Sequence, residues 1–541
     1  MKCTVSRIGC AAACMALCLA LGCSCSVLPP ASGKPAAAAS SVPTDKNGNL
    51  LYDSSRLDDG QLRMLYGYDS SGNSCTVLCG GKVLYQSLRS ENVSLLQDTV
   101  TGETDYWFRT WADPDARCGR RSGLFDKSGS EVMTFEGEQS ATIQNGLLVL
   151  QEAQAVNGSY QNGYNLYGTS QVIDLVTGET LPTPEGAYSC VVCGDVLVFN
   201  CYARPADLAA DAWDDEPALH SWVIAQTRDG TQVYRADTTT AMSISYAPDA
   251  LNDWVELDTC HAGGEPTDET LYNPATGEFF TGFRQVCGSG TACFETSDGR
   301  YELRDLTTVD RTLIGTFDDQ PSSYFPGYVV TWRTSGDFGY DLHDLVTGEV
   351  TPLYASSVMG DTIALYYEDG RLKVFSTATG DLITDTTVEP VENQQSAMMN
   401  NEGSGYVWLE LRDNDRYETT ATRVYGPEGL VSDLTHLQSK YYALNYLTTT
   451  PEGRPLYYGT SEAPSRSGSL CDVLDETGNV ALGLGDLGSC YSYYSNSLNQ
   501  LPDHVFVARR GFYYGWMDTD GKWLYCQSIF SSINADDEMG Y

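Results

Sequence analysis

Apolar residues fall in short runs along this chain, and the runs are rich in β-branched and aromatic residues. Turn-forming pairs such as Gly-Asp, Asp-Gly and Thr-Gly separate the runs. Few stretches show the three-to-four-residue spacing that is typical of an amphipathic helix. The pattern therefore predicts an all-β protein that is built from short strands joined by tight turns.

The segment SCVVCGDVLVFNC, residues 189–201, indicates how these strands pack. A two-residue turn at Gly194-Asp195 would pair its two halves as a hairpin. One face would then carry Cys190, Val192, Leu197, Phe199 and Cys201, and the other Val191, Cys193, Val196 and Val198. Because both faces are apolar, we expect neighbouring sheets to cover both of them. Residues 74–85, SCTVLCGGKVLY, show a similar pattern around Gly80-Gly81.

Several turn glycines recur at a nearly constant spacing. A step of 49 residues separates Gly129 from Gly178, Gly299 from Gly348, Gly380 from Gly429 and Gly429 from Gly478, and Gly521 follows 43 residues later. A repeat of roughly 40–50 residues is typical of four-stranded propeller blades. We therefore expect a β-propeller-like domain over residues 45–533. One ring of seven or eight four-stranded blades is the first choice, and two smaller propellers are the alternative.

Two resemblances to known families support this architecture. GFYYGWMDTDGKWLY (511–525) and RSGLFDKSGSEVMTF (121–135) resemble WG repeats, and VLDETGNVAL (473–482) is a weaker copy. VIDLVTGETLP (172–182) and LHDLVTGEVTP (342–352) are similar to blade hairpins of quinoprotein-like and other bacterial β-propellers. The resemblances imply a repeat architecture whose surface is often used for binding, and they carry over no catalytic residues.

The 511–525 segment itself reads as a structural hairpin. We expect Trp516 and Trp523 to be packing residues, and Asp518, Asp520 and Gly521 to form the turn. Calcium binding at Asp518–Gly521, or at Asp45–Gly48, is a second interpretation because alternating oxygen ligands suit a hard cation. The loops lack the downstream bidentate acid of an EF-hand, so the turn interpretation is preferred and no metal site is predicted.

The N-terminus predicts export. Lys2 and Arg7 precede an apolar stretch, residues 8–21, that is too short to span a bilayer and is typical of a secretory signal. Residues 19–24, LALGCS, resemble a bacterial lipobox, which makes Cys23 the expected lipidation site and Cys25 a poorer one. The alternative is an ordinary cleaved signal. We therefore expect four segments, listed in chain order: a signal peptide (1–22), a lipidated low-complexity tether (23–44), the repeat domain (45–533) and an acidic tail (534–541).

Net charge narrows the range of partners. The formal charge of −40 at pH 7 repels nucleic acid and anionic lipid surfaces. The expected partner is an unknown protein or glycan, with the membrane contacted through the lipid anchor alone. The expected location is the outer face of the bacterial cell membrane.

Cysteines offer candidate disulfides, because an exported location permits them. Twelve of the 18 cysteines lie in the repeat domain. The spacing suggests three local pairs, although spacing alone does not fix connectivity. The pairs are Cys190 with Cys201, Cys287 with Cys293, and Cys471 with Cys490. A single C-x-x-C, Cys190–Cys193, has no second motif with which to build a zinc site.

No catalytic motif was found. The chain lacks G-x-S-x-G, H-E-x-x-H and the phosphate-binding G-x-x-x-x-G-K-[ST], and its five histidines are scattered. We expect a non-catalytic binding scaffold that needs no cofactor. The alternative is a polysaccharide-active hydrolase or lyase that uses carboxylates at the propeller axis, and a purely structural scaffold is a third possibility.

Aromatic residues supply the candidate contact surface. Residues 203–222 are acidic, interrupt two strands and carry Trp213 and Trp222. Loops on a rigid scaffold often carry binding, so both tryptophans are candidate rim contacts. Tyr491, Tyr493 and Tyr494, within SCYSYY, offer further stacking faces. The competing interpretation is that all five residues serve packing.

Overall fold

The computed structural model describes most of the predicted repeat domain. The described residues are 52–66, 75–87, 91–116, 119–154, 166–202, 221–238, 241–246, 251, 253–260, 266–288, 290–333, 339–391, 396–401, 406–413, 418–441, 443–461, 470–484, 489–491, 501–511 and 513–528. The predicted signal peptide, tether and acidic tail lie outside these ranges.

Within the described residues the chain forms 41 β-strands and two short 3₁₀ turns (Ser54–Leu57 and Thr435–Leu437), and it has no α-helix there. Sheet 1 contains β1 (Leu62–Tyr66), β2 (Cys75–Cys79) and β3 (Lys82–Gln86). Sheet 2 contains β4 (Asn92–Leu96), β5 (Tyr106–Ala112), β6 (Arg120–Asp126) and β7 (Glu131–Glu136). Sheet 3 contains β8 (Gln139–Gln144), β9 (Leu147–Gln154) and β10 (Leu166–Asp174). Sheet 4 contains β11 (Ala187–Cys193), β12 (Val196–Tyr202), β13 (Ser221–Thr227) and β14 (Gln232–Thr238). Sheet 5 contains β15 (Ala241–Tyr246), β16 (Val255–Cys260), β17 (Pro266–Asn273) and β18 (Glu278–Thr281).

Sheet 6 contains β19 (Phe283–Gly288), β20 (Thr291–Glu295), β21 (Tyr301–Asp305) and β22 (Leu313–Phe317). Sheet 7 contains β23 (Gln320–Phe325), β24 (Tyr328–Trp332), β25 (Tyr340–Asp344), β26 (Val350–Met359), β27 (Thr362–Tyr367), β28 (Arg371–Ser376) and β29 (Leu382–Thr387). Sheet 8 contains β30 (Ser396–Asn401), β31 (Val407–Asp413), β32 (Glu418–Gly426) and β33 (Gly429–Asp433). Sheet 9 contains β34 (Ala443–Thr449), β35 (Pro455–Ser461), β36 (Leu470–Leu474) and β37 (Val480–Gly483). Sheet 10 contains β38 (Ser489–Tyr491), β39 (Val505–Arg510), β40 (Tyr513–Asp518) and β41 (Trp523–Ser528).

The strands of each sheet follow one another in chain order, and every pairing between these strands is antiparallel. Sheet 7 consists of two four-stranded halves, because the 10-residue strand β26 ends the first half and begins the second. The described chain thus has eleven three- or four-stranded units where seven or eight were expected. The units recur about every 44 residues, so the domain is long enough to hold more units than expected.

The units pack face to face in a cyclic order. Within the described residues, one cluster of buried apolar side chains lies between each unit and the next. An eleventh cluster joins the last sheet to the first, with Leu65 and Leu78 of sheet 1 against Trp516 and Leu524 of sheet 10. The contacts form one series and not two, and the all-β, β-propeller-like fold is confirmed.

The 189–201 hairpin has the predicted register and burial. Val192 pairs with Leu197 and Cys193 with Val196, on either side of the turn at Gly194-Asp195. The face that carries Phe199 packs against sheet 3, and the face that carries Val198 packs against sheet 5. Both side chains are fully buried, so this hairpin is covered on both faces.

Four of the evenly spaced turn glycines adopt a left-handed backbone. Gly129, Gly178, Gly429 and Gly478 have φ between +73° and +110°, and each follows the third strand of its sheet. The 49-residue step from Gly299 to Gly348 does not mark a repeat. Gly299 lies between the second and third strands of its sheet, whereas Gly348 follows a third strand. At Gly478 an added Cβ would lie 2.9 Å from Cδ1 of Leu437, in the segment that follows sheet 8, so that side chain would have to shift.

The 511–525 segment forms the β40–β41 hairpin. Trp516 is fully buried against sheet 1, whereas Trp523 is buried on the opposite side, against sheet 9. Asp518 Oδ1 accepts hydrogen bonds from the backbone N–H groups of Asp520 and Lys522, at 3.0 and 2.9 Å. The two tryptophans are therefore packing residues, and Asp518 forms the turn as predicted.

Asp98 holds two neighbouring sheets together at their turns. It follows β4, and its carboxylate accepts backbone N–H hydrogen bonds from Val100 (2.8 Å) and Thr101 (3.1 Å) in its own turn. It also accepts from Asn145 (3.2 Å) and Gly146 (2.7 Å) in the β8–β9 turn of sheet 3. Burial alone would raise the pKa of Asp98, but these hydrogen bonds outweigh burial and lower it.

Replacing Phe199 by Ala is expected to destabilise the protein by about 3–5 kcal/mol, because it opens a cavity between sheets 3 and 4. The free energy of unfolding from urea titration measures the loss. Val176→Ala is the matched control, since that side chain is 91% exposed, and it should change stability by less than about 0.5 kcal/mol. Equal effects of the two substitutions would contradict the two-sided core.

Asp98→Asn should destabilise the protein by about 1–3 kcal/mol at pH 7, because the amide nitrogen cannot accept the Gly146 hydrogen bond. The lowered pKa means that the carboxylate stabilises the fold above its unfolded pKa of about 4, and that this stabilisation is lost as the pH falls through the folded value. Urea titrations at several pH values should therefore show the gap between wild type and variant narrowing below about pH 4. A gap that is constant from pH 7 to pH 3 would refute this role.

Candidate binding surface

The two ends of the four-stranded units differ. Connections between first and second strands, and between third and fourth strands, lie at one end, which we call the turn end. Connections between second and third strands lie at the other, the loop end. Equivalent strand ends of sheets 2 and 3 lie side by side, as the parallel bridge between Asp98 and Ile143 shows. At the turn end, Asn145 Nδ2 of sheet 3 also donates to the Gly194 carbonyl of sheet 4 at 3.0 Å.

Trp332 is an exposed aromatic residue at the loop end of sheet 7. Tyr328 and Val330, earlier in β24, pack into the cluster between the two halves of the sheet. Trp332 is the next residue on the same face, and it lies where the strand has passed beyond that cluster, so its side chain is 46% exposed. Its cross-strand partner is Tyr340, the first residue of β25, and the two rings meet edge to face with centroids 5.1 Å apart.

Arg333 fixes the backbone beside this aromatic pair. Its guanidinium donates to the Tyr340 carbonyl at 2.9 Å and lies 3.2 Å from carboxylate oxygens of Asp341 and Glu368. Glu368 lies between β27 and β28, so Arg333 connects the two halves of sheet 7. An added Cβ on Gly339 would lie 3.2 Å from Arg333 Nη2, so the glycine leaves room for the guanidinium.

This arrangement offers stacking and hydrogen-bond acceptors. The Trp332 ring presents an apolar face, while Glu368, 39% exposed, supplies carboxylate oxygens beside it. An aromatic face next to hydrogen-bonding groups can bind a sugar ring or an extended peptide segment. Trp332 was not among the residues predicted from the sequence. The available signal was an aromatic residue at the end of an apolar run, before a glycine-containing segment.

The nearby histidine has a packing role. His343 Nε2 lies 3.0 Å from Thr331 Oγ1, and its ring meets Phe317 of sheet 6 edge-on at 5.1 Å. Burial lowers the pKa of His343 because it disfavours the imidazolium, although Asp341 and Asp319 act in the opposite direction. Its contacts therefore lie towards sheet 6 and not towards Trp332.

A second arginine–aromatic group is turned inward, between sheets 1 and 2. The Arg109 guanidinium carbon lies 4.5 Å from the ring centroids of both Tyr85 and Trp111. Arg109 also pairs with Glu91, which is 5% exposed, at 3.5 Å, and Tyr85 donates its hydroxyl to the same carboxylate. The stack therefore serves packing between these sheets.

The predicted rim contacts are not brought together within the described residues. Trp222, in β13, is half-buried against the cluster between sheets 3 and 4, with Arg235 5.5 Å from its ring centroid. The Tyr491 backbone lies in β38, opposite Val507, and its side chain lies outside the described residues. Trp213, Tyr493 and Tyr494 also lie outside them.

The cysteines of two predicted disulfides, Cys190 with Cys201 and Cys287 with Cys293, are not bonded to each other in the described residues, and both pairings stay predictions. Cys190, Cys201, Cys287 and Cys293 are free thiols. The Cys490 side chain lies outside the described residues, so the pairing of Cys471 with Cys490 stays a prediction. Cys190 lies opposite Phe199 in the ladder, so Cys201 is offset from it by two residues. Burial raises the pKa of Cys201 to about 12 and that of Cys190 well above its usual value, as expected of unreactive packing thiols.

Two further features are absent from the described ranges, a metal-binding cluster of side chains and a membrane-spanning helix. There, no group of three or more His, Cys, Asp and Glu residues is placed to hold a metal ion. No helix in the same ranges is long and apolar enough to cross a membrane. The absence of a metal and the absence of a cofactor both stay predictions.

Residues 271–537 match a family model described as a domain of unknown function, DUF5046. No curated protein matches the chain. Among solved structures, BamB from Moraxella catarrhalis has 12% identity over 66% of this chain and 92% of its own, with a TM-score of 0.26. Apo AztD from Citrobacter koseri has 12% identity over 61% and 95%, with a TM-score of 0.25. Sqt1 from Saccharomyces cerevisiae has 11% identity over 59% and 91%, also with a TM-score of 0.25. The three are β-propeller proteins. At these TM-scores the description of the fold rests on the contacts of this chain itself.

Proposed function

We propose that this chain is an exported, lipid-anchored surface protein that acts as a non-catalytic binding scaffold for a protein, peptide or glycan. The observation that carries the proposal is Trp332, whose large apolar side chain is 46% exposed at the loop end of sheet 7. Exposing such a ring to water is unfavourable in the free protein, and a ligand that covers it recovers that free energy.

The support around Trp332 favours binding of a ligand by a preformed site. Tyr340 packs edge-on against the ring, and Arg333 ties the adjacent backbone to Asp341 and Glu368. A side chain that is already ordered loses little conformational entropy when a ligand binds. Loops and strand ends on a rigid β scaffold are common positions for such contacts.

The lipid anchor rests on the N-terminal sequence. Cys23 follows a short apolar stretch and precedes a Pro-, Ala- and Ser-rich tether. Each buried CH₂ of an acyl chain contributes about 0.8 kcal/mol, so more than one chain on Cys23 would hold the protein at a membrane surface. The −40 charge keeps the body from adhering to anionic headgroups.

Trp332→Ala is expected to weaken ligand binding about tenfold or more, because truncating an aromatic anchor removes the stacking face. The full chain in detergent would be screened against a glycan array and a panel of cell-surface proteins, and each ligand found would be titrated against wild type and variant. Val346→Ala is the control, since that residue is 86% exposed at the turn end of the same sheet. Unchanged affinity of the Trp332 variant for every ligand, or cleavage of a bound polysaccharide, would refute the proposal.

Cys23→Ala should abolish incorporation of a clickable fatty acid in cells that express the protein, because the acceptor thiol is lost. Cys25→Ala is the matched control and should keep the label. Gel fluorescence after click labelling measures both variants. Labelling that persists in Cys23→Ala would exclude this residue as the lipidation site.

A further inference from the structure

Cys287 and Cys293 are two buried cysteines in facing strands of one hairpin. Cys287 lies near the end of β19 and Cys293 in the facing strand β20. Both side chains are buried, at 5% and 0% exposure, in the cluster between sheet 6 and the first half of sheet 7. Cys287 Sγ lies 3.3 Å from the Pro321 carbonyl oxygen, and the neighbouring Cys293 thiol together with burial raises the pKa of Cys287.

A β-bulge explains why these two thiols meet. Gln285 pairs with Cys293 and Val286 with Ala292, but the next pair is Gly288 with Thr291, so Cys287 is the extra residue. In a regular ladder, residues offset by two positions lie about 7–8 Å apart, which is too far for a disulfide. The bulge takes Cys287 out of this regular position, and both cysteine side chains lie in the same buried cluster.

The Cys190 and Cys201 pair provides a built-in comparison. It has the same offset of two residues, because Cys190 pairs with Phe199. The irregularity in that ladder falls between Ala187 and Ser189, so neither cysteine is the extra residue. Both thiols lie in one apolar cluster, as Cys287 and Cys293 do, so the position of the bulge is what distinguishes the two pairs.

We propose that Cys287 and Cys293 are a redox site that is oxidised to a cross-strand disulfide in the β19–β20 hairpin, selectively over the other buried cysteines. With glutathione disulfide as oxidant, the Cys287 thiolate attacks one sulfur, the glutathione S–S bond breaks and one glutathione thiolate leaves. The Cys293 thiolate then attacks Cys287 Sγ and displaces the second glutathione. Two thiol protons and two electrons are transferred, and the products are one protein disulfide and two glutathione thiols.

Burial determines when oxidation occurs. The neighbouring Cys293 thiol and burial both raise the pKa of Cys287, so little thiolate is present while the hairpin is closed. Oxidation is therefore slow in the folded protein and faster while the β19–β20 hairpin forms or opens. This site adds a covalent crosslink to the fold and does not depend on which ligand the surface binds.

The test is peptide mass spectrometry on the full chain, refolded from urea with reduced and oxidised glutathione, then denatured with N-ethylmaleimide. Trypsin releases both cysteines in one peptide, residues 285–300. We expect this peptide to carry no maleimide and to be about 2 Da lighter than its dithiol form, and to take two maleimides after reduction. Cys190 and Cys201 should carry maleimide in the same sample.

Cys293→Ser isolates the first step. In this variant Cys287 has no partner, so it should retain one glutathione as a mixed disulfide that dithiothreitol removes. Two maleimides on peptide 285–300 after refolding in the glutathione buffer would overturn the proposal. A crosslink from this peptide to a different cysteine, or equal oxidation of Cys190 and Cys201, would overturn it as well.

Discussion

Burial of two apolar faces is the constraint on which the fold depends. A four-stranded sheet such as sheet 4 has Phe199 on one face and Val198 on the other, and both must leave water. Each sheet therefore needs a neighbour on each side, and a linear stack would leave one bare face at each end. A series of such sheets satisfies all its members only if the last packs on the first, as Leu65 and Trp516 do here.

Apolar contact alone does not determine which sheets pack together. Where the last sheet packs on the first, buried polar groups favour one pairing of sheets. Gln527 Oε1 accepts hydrogen bonds from Thr76 Oγ1 of sheet 1 at 2.8 Å and from the Tyr525 hydroxyl at 2.9 Å. Its Nε2 donates to the Tyr514 hydroxyl. A different sheet against β41 would lose the hydrogen bond from Thr76, at a cost of about 0.5–1.5 kcal/mol. The polar contact thus favours one closure over others with similar apolar area.

Local features were predictable from the sequence, and features set by distant packing were not. The 189–201 hairpin follows from a two-residue period and a Gly-Asp turn, and the roles of Trp516 and Trp523 follow from their alternation in a hairpin. The number of units could not be predicted, because connection lengths vary and the glycine at 299 lies at a different turn from that at 348. Trp332 is exposed because β24 extends beyond its apolar cluster. That cluster includes residues far along the chain, such as Phe375, so its limit could not be read from the local sequence.

The two ends of the units divide stability from binding. At the turn end, Asp98 and Asn145 join neighbouring sheets through backbone hydrogen bonds, so changes there cost stability directly. At the loop end of sheet 7, Arg333 ties the strand ends to Glu368, and Trp332 lies outside the apolar cluster. Truncating Trp332 removes little buried area from the core. The residue at this position can therefore serve ligand binding with little effect on the stability of the fold. A scaffold whose sheets are held by their faces and turns can therefore carry different side chains at its loop end, and this separation makes a binding role compatible with the packing.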